Sequence, residues 1–146
     1  MAAIDAAGFA DPWCEDRILG VLRQRNAIGM VAEHGGRVVG YMVYELFPDR
    51  IELLRLAVDP DARRLGVGRQ LMRKLAGKLS TRKRNRIGVH VRESLLPAHL
   101  FFRDCGFAAT RVVRGHFDGE DAYRFVFRAE ADEEAPLERA WREVTT

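Results

Sequence analysis

The chain has 146 residues, enough for one domain with a real core, and it carries a formal net charge of +3. Its hydrophobic fraction of 47% and charged fraction of 31% are those of a globular chain in water. No apolar run reaches the roughly 18 residues that a membrane span needs, so composition points away from a helical membrane protein.

Met1 to Ala10 has no basic residue ahead of an apolar run, so no secretory leader is expected. Cys14 and Cys105 make neither a disulfide framework nor a metal-ligand spacing. A reducing cytoplasm and no metal are the expectations. Asp11-Pro12-Trp13 reads as a helix start, a capping carboxylate and then proline in the first turn. Ile18, Leu19 and Leu22 supply an apolar face, and Gly29 closes the region. Met30 to Glu33 and Arg37 to Glu45 read as strands joined by the hairpin signal His34-Gly35-Gly36. Ile51 to Val58 is a third strand, mostly apolar and so central.

That strand stops at Asp59-Pro60. A loop with two arginines and two glycines follows, Arg63-Arg64-Leu65-Gly66-Val67-Gly68, and a helical pattern then begins. Val67, Leu71, Leu75 and Leu79 recur every four residues, which predicts an amphipathic helix from Val67 to about Leu79. A glycine-rich strand-to-helix join aims several backbone N–H groups at one spot, at the positive end of a helix, where a phosphate chain can sit. The third glycine of a dinucleotide fingerprint is missing, and so is the Gly-Lys-Ser/Thr of a P-loop.

Ile87, Val89 and Val91 alternate with Gly88, His90 and Arg92, which is a strand. Pro97 to Asp104 is a short helix stopped by Gly106. Phe107 to Val113 and Ala122 to Phe127 are the last two strands, with Gly115 to Asp121 between them. The order of elements predicts an α/β (α+β) domain with a mixed, mainly antiparallel sheet of six to seven strands and flanking helices. This domain covers residues 1–128. Residues 129–146 read as an acidic linker (Glu130, Asp132, Glu133, Glu134) and a short helix on Leu137, Ala140, Trp141 and Val144, which docks on its own domain or on a partner.

The spacing Arg63-x-x-Gly66-x-Gly68 resembles the pyrophosphate-binding loop of the GNAT family of acetyl-CoA-dependent N-acetyltransferases. Within that family the chain resembles the protein N-terminal acetyltransferases, including the bacterial ribosomal-protein-alanine (RimI-type) enzymes. The string Asp118-Gly119-Glu120-Asp121-Ala122-Tyr123 carries this narrower likeness, with Asp11-Pro12-Trp13 and the Val91-Arg92…Ser94 strand exit. The resemblance implies acetyl-CoA as co-substrate. It implies that Arg63 opens the loop and that the N–H groups of Arg64, Leu65, Gly66, Val67, Gly68 and Arg69 cradle the pyrophosphate. It also implies a bulge at Leu56, Ala57 and Val58, whose backbone holds the acetyl carbonyl and the pantetheine.

Acetyl transfer needs an amine freed of its proton, donors for an oxyanion, and help for the departing thiolate. An unperturbed imidazole near pKa ~6.5 can take a proton at neutral pH, and His90 is the candidate base. Glu52 is a second candidate, and Glu45 a weaker one; both also fit sheet-edge carboxylates. The family's tyrosine acid aligns with Phe102, which has no proton to give, so Phe102 is left to pack on pantetheine. Leu95 departs from the asparagine usual there. His116 and Phe117 replace a tyrosine pair lining the acceptor slot; with Tyr41 they are the acceptor-side candidates, though Tyr41, Tyr44 and Tyr123 also fit core or rim aromatics. Cys105 beside Gly106 fits a buried small residue. Lys83-Arg84-Asn85-Arg86 fits a solvated helix end, so nucleic acid is not expected.

The expected reaction is direct attack of an amine on acetyl-CoA, with no acyl-enzyme. The expected acceptor is the α-amino group of a protein N-terminus, of a ribosomal protein among others. The alternatives are a small-molecule amine and an acyl-CoA-binding module with little catalysis. A monomer or a homodimer fits equally.

Overall fold

The computed structural model describes residues 15–24 and 26–129. The helix entry at Asp11-Pro12-Trp13 and the tail from Glu130 onward lie outside the described residues. Helix α1 (Glu15–Leu22) precedes strands β1 (Ala27–His34), β2 (Arg37–Leu46) and β3 (Ile51–Val58). A 3₁₀ turn (Pro60–Leu65) leads into α2 (Val67–Ala76). Strand β4 (Arg86–Arg92), helix α3 (Leu96–Asp104), β5 (Ala108–Phe117) and β6 (Glu120–Arg128) complete the described chain.

The strands form one six-stranded sheet in the order β1-β2-β3-β4-β6-β5. Every neighbouring pair is antiparallel except β3 and β4. That parallel pair holds for only three rungs, Ile51–Ile87, Glu52–Gly88 and Leu53–Val89. Beyond Leu53 and Val89 the two strands part, and the sheet is split by a wedge.

The two faces are covered differently. On one face, Met42, Ile51, Leu53, Ile87, Val89 and Val91 join Val67, Leu71, Met72 and Leu75 of α2 and Phe102 of α3 in the main core. On the other face, Ile18 of α1 covers Tyr41, Val43 and Ala57. Period-two alternation on the strands and period-four spacing on α2 therefore meet as the sequence requires.

Several expectations shift. Gly29 lies inside β1, paired with Val43, rather than closing a helix. Leu19 is 45% exposed and does not belong to the apolar face of α1. Helix α2 ends at Ala76, where the Gly77 N–H caps it on the Arg73 carbonyl; Leu79 still packs on the core from the following turn. The loop expected from Gly115 to Asp121 is mostly strand. Only Asp118-Gly119 turns, with Gly119 at φ +76° supplying the left-handed residue. The bulge expected at Leu56 to Val58 lies earlier. Arg55 pairs with Val43 and Leu53 with Tyr44, so Leu54 is the extra residue, while Leu56 and Ala57 pair regularly with Met42 and Tyr41. A bulge belongs where a strand loses a neighbour, and Leu54 is the first residue past the last rung with β4.

Candidate active site

The wedge between β3 and β4 opens a cavity of about 270 Å³. Glu52, Leu54 and Leu56 line one wall and His90 and Arg92 the other, with Phe102, His116 and Phe117 closing it. A second cavity, of about 360 Å³, lies between the strand-to-helix loop and α3, lined by Val58, Arg63, Gly68, Pro97 and Phe101. Leu56, Leu95, Ala98 and Phe102 line both, so the two cavities adjoin. Phe102 stands at the junction, its ring 5.1 Å from Phe107 and 5.2 Å from Phe101.

The loop is built to receive an anion. Asp59 caps the 3₁₀ turn by accepting from the Asp61 N–H at 3.0 Å. Gly66 takes φ +72°, the left-handed turn that starts α2. No side chain caps the α2 N-terminus and no acidic residue stands in its first turn. Its first N–H groups therefore face outward at the positive end of the helix dipole. A Cβ on Gly68 would come within 3.0 Å of the Phe101 ring, so this glycine lets α3 close over the loop. Arg63 and Gly68 line the second cavity, and Gly66 turns the chain between them. Leu65 and Arg69 point outward, and Arg69 pairs with Asp104 at 3.6 Å. The Arg64 side chain is outside what the structure describes.

An uncapped helix end, a bare glycine and an apolar channel next to it fit acetyl-CoA. If acetyl-CoA binds here, the N–H groups from Gly66 to Arg69 would face its pyrophosphate, and Leu56, Val58 and Phe101 would line the space for its pantetheine arm. Past Leu53 the edge of β3 facing β4 has no strand partner. Its backbone between Leu54 and Val58 is open to a ligand. The Ala57 side chain faces the α1 side, 1% exposed, so only its backbone could serve.

His90 projects into the wedge from β4 and stacks on His116, ring centroids 4.3 Å apart and planes 12° from parallel. Burial, then the neighbouring His116 and Arg124, lower the His90 pKa from 6.5 to about 4. The ring is thus neutral at pH 7 and keeps a lone pair to accept a proton. His116 reaches it through an irregularity in β5. Val113 pairs with Ala122 and Phe117 with Glu120, so Arg114, Gly115 and His116 oppose Asp121 alone. The bulge throws His116 over the cleft, and the Asp121 carboxylate fixes it by accepting from the Gly115 N–H at 2.8 Å.

Glu52 has a different part from the one expected. Arg124 grips both its oxygens and Arg50 donates to it from another side, at 3.0 Å. These guanidiniums hold its carboxyl below the usual range against the opposing pull of burial. A carboxylate that already accepts three charged hydrogen bonds is a poor base; it holds β3 to β6 at the vertex of the wedge. Tyr41 is fully buried in the core beneath α1 and lines neither cavity, which removes it from the acceptor site.

The Asp118 to Tyr123 string has a mechanical reason. Glu120 accepts from the Arg92 guanidinium at 3.1 Å and from the Ser94 N–H at 2.8 Å, locking the β5–β6 hairpin onto the end of β4. Arg92 also lies over the Phe117 ring at 4.3 Å. His99 of α3 binds the Arg92 carbonyl through Nε2 at 2.8 Å and abuts Tyr123 and Phe125 edge-on. Arg17, Arg55 and Arg92 also line the cleft; of these only Arg92 stands in a motif that the sequence marks, the exit of β4. The signal for Arg55 was present, as a cation interrupting an apolar central strand.

A split sheet with a cavity in the wedge, a second cavity against the strand-to-helix loop and an imidazole in the first is the geometry to compare with known proteins. Residues 4–107 match the model of the acetyltransferase (GNAT) family, and the chain belongs to that family of N-acetyltransferases. It is 27% identical over 114 residues to the [ribosomal protein bS18]-alanine N-acetyltransferase of Salmonella typhimurium, covering 78% of this chain and 76% of that one. It is 31% identical over 121 residues to an uncharacterized N-acetyltransferase of Methanocaldococcus jannaschii, covering 82% and 78%. The crystal structure of the ribosomal-protein-S18-alanine N-acetyltransferase from Escherichia coli superposes with a TM-score of 0.76 at 24% identity, covering 91% of this chain and 88% of that one. No described helix is long and apolar enough to cross a membrane. Among the described residues no group of three or more His, Cys, Asp or Glu could hold a metal ion.

Proposed function

We propose that this enzyme transfers an acetyl group from acetyl-CoA to the α-amino group of a protein N-terminus, in the cytoplasm. When bound, acetyl-CoA supplies the activated acetyl thioester. The observation that carries the reading is that the two cavities adjoin at Phe102, with His90 lining the one in the wedge.

The amine of the acceptor has a pKa near ~7.7–8.0 and must lose a proton to attack. The free-base fraction of the amine attacks, and His90, neutral at pH 7, takes a proton from the nitrogen only as the C–N bond forms and acidifies it. The CoA sulfur would leave as a thiolate that takes its proton from solvent. His116, stacked on it, fixes the plane of the ring and makes a charged His90 costly, so the proton passes on to solvent. Backbone groups of β3 past Leu53 supply donors where the wedge leaves them without a strand partner. Phe102 shapes the junction and keeps water out but offers no proton. The hairpin residues His116 and Phe117 form the roof under which the acceptor's first residue sits. One similarity supports a protein acceptor, that to the S18-alanine enzyme of Salmonella typhimurium, and the hairpin that Glu120 holds over the cleft is compatible with it.

The test is an acetyl-CoA assay on a panel of N-terminal peptides and small amines. Turnover of peptides with free α-amino groups, abolished by blocking that group, is expected. Turnover confined to polyamines or other small amines would replace this reading, and stabilisation by acetyl-CoA without any turnover would leave only a binding module.

A further inference from the structure

On the acceptor side of the sheet, helix α1 covers β2 and β3 but no described element covers β4, β6 and β5. That uncovered half carries an open groove of about 530 Å³. Five arginines line it, Arg50, Arg86, Arg111, Arg124 and Arg128, against a single carboxylate, Glu52. The register explains the concentration. His90 pairs with Arg124 and Arg86 with Arg128 across β4 and β6, and Arg111 stands beside Arg124 on β5. Side chains of directly opposed residues share a face, so the cations lie side by side. Such like-charge neighbours are unfavourable unless an anion screens them. Arg50 and Arg86 find Asp49, and Arg124 finds Glu52, whereas Arg111 and Arg128 make no ion pair among the described residues.

The groove begins at the catalytic cleft. Glu52 and His90 line both. From His90 to Arg86 the strand covers about 13 Å, taking ~3.3 Å per residue, which is the length of about four residues of extended peptide.

We propose that this groove binds an acidic polypeptide, namely the stretch of the acceptor chain that follows its acetylated residue. The proposal rests on the reading of the enzyme as a protein N-terminal acetyltransferase. The amine end enters the cleft at His90, and the next few residues run along β4 and β6 with Asp or Glu side chains on Arg111 and Arg128. A nucleic acid fits less well, because no Phe, Tyr or Trp lines the groove to stack a base.

The experiment uses the full chain with CoA bound. Fluorescently labelled peptides share their first residue and carry Glu, Gln or Lys at the following four positions. Anisotropy reads binding, and kcat/KM with acetyl-CoA reads transfer. The Glu peptide is expected to bind about tenfold more tightly than the Gln peptide at low salt, with the gap closing as salt rises. The double variant Arg111→Glu/Arg128→Glu is expected to abolish or reverse the preference, and Arg111→Gln/Arg128→Gln to flatten it if the first fails to fold. Equal binding of Glu and Gln peptides would overturn the proposal, as would a preference that survives both variants. An RNA oligonucleotide that binds more tightly than the Glu peptide would overturn it too. If the Glu peptide binds as expected but no peptide is acetylated, the groove stands and the assigned reaction falls. If peptides are acetylated without charge preference, the reaction stands and the groove falls.

Discussion

Arg124 reaches across β4 to hold both carboxylate oxygens of Glu52, at 2.6 and 3.1 Å. It ties β6 to β3 over the last rungs before the wedge opens. Its path requires Gly88, because a Cβ there would run into the guanidinium. The guanidinium is the end of a flexible side chain and can swing away, but only by releasing Glu52. Gly88→Ala is therefore expected to cost about what losing the charged hydrogen bonds costs, ~2 kcal/mol. The double variant Gly88→Ala/Arg124→Ala should be no less stable than Arg124→Ala alone. Chemical denaturation of the single and double variants measures this, and simple additivity would contradict it.

His90→Ala is expected to lower turnover by about 10²-fold or more at pH 7, in the range of lost general-base catalysis, while the KM for acetyl-CoA changes little. Because the wild-type ring titrates near 4, it is neutral throughout the working range. The acidic limb of the rate profile should therefore follow the amine of the acceptor and shift when a peptide of different α-amino pKa is used. A limb fixed near 6.5 for every acceptor would show that the ring is not held neutral.

The same group bears on stability. Above pH 6.5 His90 is unprotonated in the folded and unfolded chains and contributes nothing. As the pH falls from 6.5 towards 4, the unfolded chain takes up a proton that the folded one refuses, and stability declines. Glu52, with its pKa lowered, adds a loss of the same sign in a lower window, below its ordinary 4.5. Melting curves at pH 7.5 and 5.0 should show a drop that is smaller in His90→Gln than in the wild type.

Phe102→Tyr is expected to keep or raise activity, since the ring already stands where both cavities meet and a hydroxyl would supply the missing acid. A large loss of kcat would mean that the junction is fitted to the bare ring. Phe102→Ala should instead cost about 3–5 kcal/mol of stability, the usual range for emptying a packed aromatic site.

Gly68→Ala presses a methyl on the Phe101 ring at 3.0 Å, and the ring's open side is the donor channel. The expected result is a raised KM for acetyl-CoA with the fold intact. Gly66→Ala instead strains a residue at φ +72° and should destabilise the protein by roughly 1–2 kcal/mol.

The strand-to-helix join was legible in the sequence because it is local. Arg63, Gly66 and Gly68 fall within one strand-to-helix join, and the period-four pattern after them places the helix end. The acceptor half depends on contacts between distant residues. Nothing local to Glu52 announces that Arg124 will take its lone pairs, and nothing local to His90 announces that a bulge in β5 will lay His116 on it. Gly115 was read as loop because a bulge glycine and a turn glycine look alike in one sequence. Tyr41 was misplaced for a similar reason: alternation gives two faces but does not say which of them lies under α1.

The wedge has jaws of unequal length. Past the last rung β3 runs on through Leu54–Val58 and β4 only through His90–Arg92, about 16 Å against about 10 Å at ~3.3 Å per residue. The rung between Leu53 and Val89 acts as a depth stop. That rung lies one residue from His90, so the narrow end of the wedge leaves little width beside the imidazole. If the proposed acceptor enters there, peptides with a bulky first residue are expected to show a lower kcat/KM than peptides beginning with a small one, whatever charge follows.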